Sequence, residues 1–170
     1  MKRILSTMGG GLAVLALGTA QAQEEPDPVV GSYLSDYVVE FVAGNVCEDL
    51  VQGGFVNTCE SSQTVLLTSD GTILTQDNNA SRDARSDAVG TWRKVNDQRY
   101  RTRLVTIFYD ENSRVSGYDV TVTRFRLSAN GRRSTGTFEV RNYSAEQDPF
   151  DANEIPQFVN TGRFETRKIR

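Results

Sequence analysis

The chain has 170 residues, 24% of them charged and 38% hydrophobic, with 14 Gly, 4 Pro, 2 Cys and no His. That length suits one domain. Without His there is no Ser-His-Asp triad, no Cys-His dyad, no His-ligated zinc and no imidazole base working near neutral pH. Two Cys do not complete a Cys₄ zinc site or carry an iron–sulfur cluster alone, and neither a P-loop nor a dinucleotide fingerprint is present, so no cofactor and no metal is implied.

Residues 1–22 read as a secretory signal peptide. Lys2 and Arg3 form a basic start, an apolar run follows from Ile4 to Leu17, and Ala20-Gln21-Ala22 is an A-x-A cleavage site. The mature chain is therefore expected to begin at Gln23 and to be periplasmic or secreted. The apolar run is short for a membrane span and ends at Gln21 and Gln23. Export makes Cys47 and Cys59 an expected disulfide, because an even pair in an oxidising compartment pairs by default. Their spacing lacks the C-x-x-C pattern of a redox pair. An acidic leader over 23–30 then precedes a domain over 31–170.

Charge is unevenly spread. From Gln23 to Gly90 there are 12 acidic and 2 basic residues; from Thr91 to Arg170 there are 10 acidic and 15 basic, 13 of them Arg. Such asymmetry marks either a polyanion-binding face or two parts that close on one another and pair their charges across strands. The second is the expectation, since the net acidity of the chain opposes non-specific nucleic-acid binding.

Past the leader, almost nothing has helical period. A first strand is predicted over 32–43, carrying Tyr33, Tyr37, Val38, Val39, Phe41 and Val42. Strands over 64–68 and 72–75 flank Asp70-Gly71, a strong hairpin signal. The polar stretch 76–88 is expected to be a mobile loop. A strand over 90–95 turns at Asn96-Asp97 into one over 99–109, where Tyr100, Thr102, Leu104, Thr106 and Phe108 share a face and Arg99, Arg101, Arg103 and Val105 share the other. After a turn at 110–113, the strand over 115–128 puts Tyr118, Val120 and Val122 on one face and Phe125 and Leu127 in the opposite phase, which predicts a β-bulge near Thr123-Arg124. Asn130-Gly131 turns the chain into a strand over 134–143, a loop covers 144–157, and a closing strand runs over 158–169. The fold class is thus all-β: a single antiparallel up-and-down β-barrel of about eight strands, since closure removes exposed edges. A two-sheet sandwich is the alternative. A membrane barrel needs an apolar outer band, which Arg99, Arg101 and Arg103 contradict, so no integral membrane insertion is expected.

Ser69-Asp70-Gly71-Thr72, Gly90-Thr91-Trp92-Arg93, Ile107-Phe108-Tyr109-Asp110, the Asn130-Gly131 turn and Gly136-Thr137-Phe138-Glu139-Val140 together resemble small secreted bacterial barrels of lipocalin-like (calycin-like) type, similar in architecture to the allene oxide cyclase-like barrel family. The resemblance spans about 31–169. Where the lipocalin opening has Gly-x-Trp, this chain has Gly31-Ser32-Tyr33. The resemblance implies an apolar-lined barrel suited to a small hydrophobic molecule.

Tyr33, Trp92, Tyr100, Phe108, Tyr118 and Phe138 are the candidate ligand-binding residues, a set of large side chains that converges if the sheet closes. The same set would also serve as a solid core. Glu139, Asp119 and Tyr100 are the candidate acid–base groups. An inward carboxyl would have a raised pKa, but alternation with Tyr118, Val120, Phe138 and Val140 sends Asp119 and Glu139 outward, toward arginines of neighbouring strands. The acidic residues of 77–87 and Asp148, Asp151 and Glu154 match no EF-hand spacing and read as solvated loop charge. Three functions fit: binding of a small hydrophobic or amphipathic molecule in the interior, a cofactor-free cyclase or isomerase acting in the same cavity, or an interaction or inhibitor protein working through its loops. The first is the expectation.

Overall fold

The computed structural model describes residues 26–40, 47–49, 54–56, 58–77 and 85–169, with the backbone alone at 40, 47–49, 54–56, 58, 59 and 77. The predicted signal peptide and most of the acidic loop, 78–84, lie outside the described residues, as do the side chains of Cys47 and Cys59. Ten strands follow in chain order: β1 (Gly31–Glu40), β2 (Cys47–Asp49), β3 (Gly54–Val56), β4 (Thr58–Leu67), β5 (Thr72–Asp77), β6 (Ala88–Asn96), β7 (Arg99–Tyr109), β8 (Val115–Leu127), β9 (Arg133–Ser144) and β10 (Phe158–Lys168). Eight of them close into an antiparallel barrel in the order β1-β10-β9-β8-β7-β6-β5-β4, and β2 with β3 forms a separate two-stranded sheet in the connection from β1 to β4. The barrel is the architecture expected, not the sandwich.

The turns follow from their residues. Gly71 sits at φ 88° and Gly131 at φ 68°, a region closed to most side chains. The Asp70 carboxylate accepts from the Thr72 amide at 3.1 Å and from the Thr68 hydroxyl. Asn130 does the same for Arg132 N at 3.1 Å and Ser128 Oγ at 2.8 Å. Such side-chain acceptors make the tight turns that an up-and-down meander needs.

One end of the barrel is packed shut. Tyr33, Val65, Leu67, Ile73, Tyr100, Leu104, Phe125 and Leu127 form its core together with Val29, which is 1% exposed. Residues 26–30 thus stop this end rather than trailing as a leader. Tyr100 donates to Asp27 Oδ1 at 2.6 Å, Lys94 Nζ lies 3.3 Å from Asp27 Oδ2, and Tyr33 donates to Val29 O at 2.8 Å. Lys168 Nζ donates to Val30 O at 2.6 Å. Trp92 Nε1 donates to Thr68 O at 2.9 Å from the same end.

One expectation fails and another holds only in part. The register of β8 runs unbroken from Gly117 to Leu127 against β9, so there is no bulge at Thr123-Arg124; the shifts lie at Lys94/Asn96 and Phe108/Tyr109. Without a bulge, Asp119, Thr121 and Thr123 share the inner face with Phe125 and Leu127. The outer Val120 and Tyr143 are buried for another reason. The loop 145–157 folds back on this face, where Arg103 donates to Pro149 O at 3.2 Å and lies 5.4 Å from the Phe150 ring centroid. The acidic and basic parts do pair in places, Lys94 with Asp27 at 3.3 Å and Arg167 of β10 with Asp36 of β1 at 3.4 Å, but between the basic strands like charges meet: Arg101 is opposite Arg93 on one side and Arg124 on the other.

Candidate functional site

Above the packed end the barrel encloses a cavity of about 510 Å³. Inward side chains of every barrel strand except β6 beyond Ala88 reach it, because alternation sends every second residue inside. Its apolar surface includes Tyr33, Tyr37, Leu104, Phe125, Phe138 and Phe164. Tyr37 and Phe138 meet edge to face at 6.1 Å, and Phe125 stacks at 5.3 Å on Tyr100 below.

The polar groups set this cavity apart from a simple core. Thr102 and Thr123 share a hydrogen bond of 2.7 Å, and Ser134 and Thr166 one of 2.6 Å. Ser35 is 1% exposed and Asn160 6%, yet Ser35 Oγ and Asn160 Oδ1 have no hydrogen-bond partner in the protein. Both residues line the cavity. A buried polar atom left unpaired costs about 1–3 kcal/mol, so two in one cavity form an unmet demand for hydrogen bonds.

Toward the end opposite the packed one, Asp119 faces the interior. It stands opposite Thr106 on β7 and Asn142 on β9, and Asn142 Nδ2 donates to Asp119 Oδ1 at 3.0 Å. Burial pushes the Asp119 carboxyl above its ordinary range, and the Asn142 hydrogen bond and the nearby Arg85 charge offset this only in part. Arg85 is positioned by a bridge to Phe108, extended by Ser86 N donating to Ile107 O at 2.9 Å and Ile107 N to Ser86 Oγ at 3.0 Å.

The six candidate ligand residues divide by place. Tyr33, Phe108 and Phe138 line the cavity. Trp92 and Tyr100 belong to the packed end beneath it, with ring centroids 6.0 Å apart. Tyr118 lies on the outer face, one residue out of phase with Asp119. Of the acid–base candidates, Asp119 is inside, correcting the outward assignment. Tyr100 is committed to Asp27. Glu139 is outside, paired with Arg141 of its own strand rather than with an arginine of a neighbouring one.

Ser35, Asn142, Asn160 and Arg85 were missed. Ser35 shares the face of Tyr33 and Tyr37, and Asn160 that of Phe158 and Phe164, so the period-two pattern carried the signal; their polarity hid it. Arg85 had no such signal, being fixed by a bridge between segments distant in sequence. The arrangement offers a cavity with apolar walls, unpaired polar atoms and one inward-facing carboxyl, which suits recognition of a molecule with an apolar body and hydrogen-bonding groups. No protein-family model matches the chain, and no curated protein matches it.

Proposed function

We propose that this protein is an exported lipocalin-like barrel that binds a small amphipathic molecule in its interior. One observation carries the reading: Ser35 Oγ and Asn160 Oδ1 are buried, unpartnered and face a cavity of about 510 Å³. A ligand that donates to Asn160 and exchanges a hydrogen bond with Ser35 satisfies both, while its apolar body lies against Phe125, Phe138 and Phe164. The A-x-A site supports export, and export supports a Cys47–Cys59 bond between β2 and the start of β4.

Mass spectrometry tests these points on one sample. Protein isolated from its own host is expected to begin at Gln23, to gain two hydrogens on reduction and, under native conditions, to carry a small molecule that Asn160→Leu releases. An interior without any bound molecule in freshly isolated protein, together with no binding of amphipathic probes, sinks the reading.

A second reading, a cofactor-free isomerase or cyclase, is favoured by the half-buried, inward-facing Asp119 carboxyl, which is suited to hold or pass a proton at a substrate atom within the cavity. Asp119→Asn separates the two. In the binding reading the co-purified molecule is unchanged in structure and only its affinity shifts. In the enzymatic one the variant accumulates a different, unconverted molecule.

A further inference from the structure

We propose that the outer face of β6, β7 and β8 near the packed end binds a linear anionic polysaccharide. The register places Arg93 opposite Arg101, Arg101 opposite Arg124, and Arg99 opposite Arg126. Like charges directly opposite on neighbouring strands repel. Among the described residues, Arg93, Arg99, Arg101 and Arg124 have no ion-pair or hydrogen-bond partner. Arg93, Arg99 and Arg124 are exposed and Arg101 half-buried. Neighbouring strands are about 4.8 Å apart and alternate residues along one strand about 6.8 Å. The arginines therefore form a two-dimensional grid of positive charge.

The edges of the grid are held in place. Gln98 Oε1 accepts from Arg126 Nε at 3.1 Å and from its Nη2 at 2.9 Å. Arg103 is fixed by Pro149 O and by the Phe150 ring. Carboxylates lie elsewhere or are engaged: Glu139 holds Arg141, and Asp36 holds Arg167 on the far side of the barrel. Asp97, in the adjoining turn, pairs with none of the arginines.

The chemistry narrows the partner. Guanidinium groups in pairs match sulfate, carboxylate or phosphate oxygens bidentately. The surface of a barrel is convex, so a chain that wraps across strands meets more of the grid than a planar membrane does. The residues between the arginines are Thr91, Val95, Val122, Thr135 and Thr137, with no ring among them; the ring at the edge, Phe150, already holds the Arg103 guanidinium, so a row of bases has no stacking platform along the grid. An anionic glycan needs no such ring.

Calorimetric titration with heparin at 50–200 mM NaCl tests this. The wild-type protein is expected to bind, more weakly as salt rises. Arg101→Gln/Arg124→Gln is expected to weaken binding by about tenfold or more and to lower the salt slope by about one for each arginine removed. Arg93→Gln/Arg99→Gln gives a second variant in case the first does not fold. The charge-matched control Arg114→Gln/Arg167→Gln lies off the grid and is expected to leave binding unchanged. Asn160→Leu is expected to do the same, which keeps this test separate from that of the cavity. An equal loss in the control, no binding by the wild type, or tighter binding of single-stranded DNA than of heparin overturns the proposal.

Discussion

Ser35 shows how one residue can weaken a fold and serve a site. Its hydroxyl is buried between Tyr33 and Tyr37 on β1 and has no protein partner. Ser35→Ala removes that unpaired group and little volume, so the unliganded protein is expected to gain about 1 kcal/mol in urea unfolding, while ligand affinity falls. An equal or lower stability shows that the hydroxyl is already satisfied. Asp119 makes a related argument through pH. Its folded pKa is raised, chiefly by burial, so ionisation costs more in the folded state than in the unfolded. Below the unfolded value of about 3.9 both states are protonated and the cost vanishes; above the folded value it is complete. Asp119→Asn retains an oxygen to accept from Asn142. It is expected to melt higher than wild type at pH 7, with the gap shrinking toward pH 3. A constant gap across that range removes the carboxyl as its cause.

At the level of elements, the stopper formed by residues 26–30 depends on one carboxylate. Burial alone would raise the Asp27 pKa, but the Tyr100 hydroxyl, the Val29 amide and the Lys94 ammonium together hold it below its ordinary range. The same charge reaches a neighbour that it does not touch: the Tyr33 hydroxyl is pushed up to about 12, first by burial and then by the Asp27 charge. A lowered carboxyl pKa adds stability above the unfolded value of about 3.9, lost as pH falls through the folded one. Asp27→Asn is therefore expected to cost about 1–2 kcal/mol at neutral pH, the worth of hydrogen bonds to a charged acceptor, and nothing once wild-type Asp27 is itself protonated. Paired acid titrations followed by circular dichroism check this, with the opposite sign to Asp119→Asn as an internal contrast. The sequence did not reveal this element: two prolines beside acidic residues read as a leader, and nothing local says that Val29 is core. β7 was legible because its inner face is apolar or hydroxyl throughout, while Arg99, Arg101 and Arg103 mark the outer one. β8 was misread because the loop 145–157 covers its outer side. Val120 and Val122 then look like core, and the true inner residues Asp119, Thr121 and Thr123 look like surface. The bulge invoked to reconcile the two phases was the consequence. The cavity's polar groups were obscured in the same way, since hydrophobic pattern alone finds apolar faces.

For the whole molecule, everything depends on one seam. β1 pairs with β4 on one side and with β10, the last strand, on the other. Closing it satisfies the backbone of both strands and leaves the barrel without an open edge. The seam is tight where Phe138 of β9 crosses toward β1. A Cβ at Gly162 on β10 would lie 2.2 Å from Phe138 Cζ and 2.3 Å from the Val38 carbonyl of β1. Glycine is therefore required there by contact rather than by backbone angle, and it lets the Phe138 ring pass over β10 to form its edge-to-face contact with Tyr37. Gly162→Ala is expected to cost about 1–3 kcal/mol as an overpacking change and to alter the cavity wall by displacing Phe138. Phe138→Leu shortens the ring's reach, so the double variant is expected to be less unstable than the two single effects added. The Val38 carbonyl, being backbone, keeps that rescue incomplete. Denaturant midpoints for the four proteins of this cycle decide the matter. Additive losses, or a Gly162→Ala variant as stable as wild type, show that β1, β9 and β10 do not meet as closely at this level as the geometry requires.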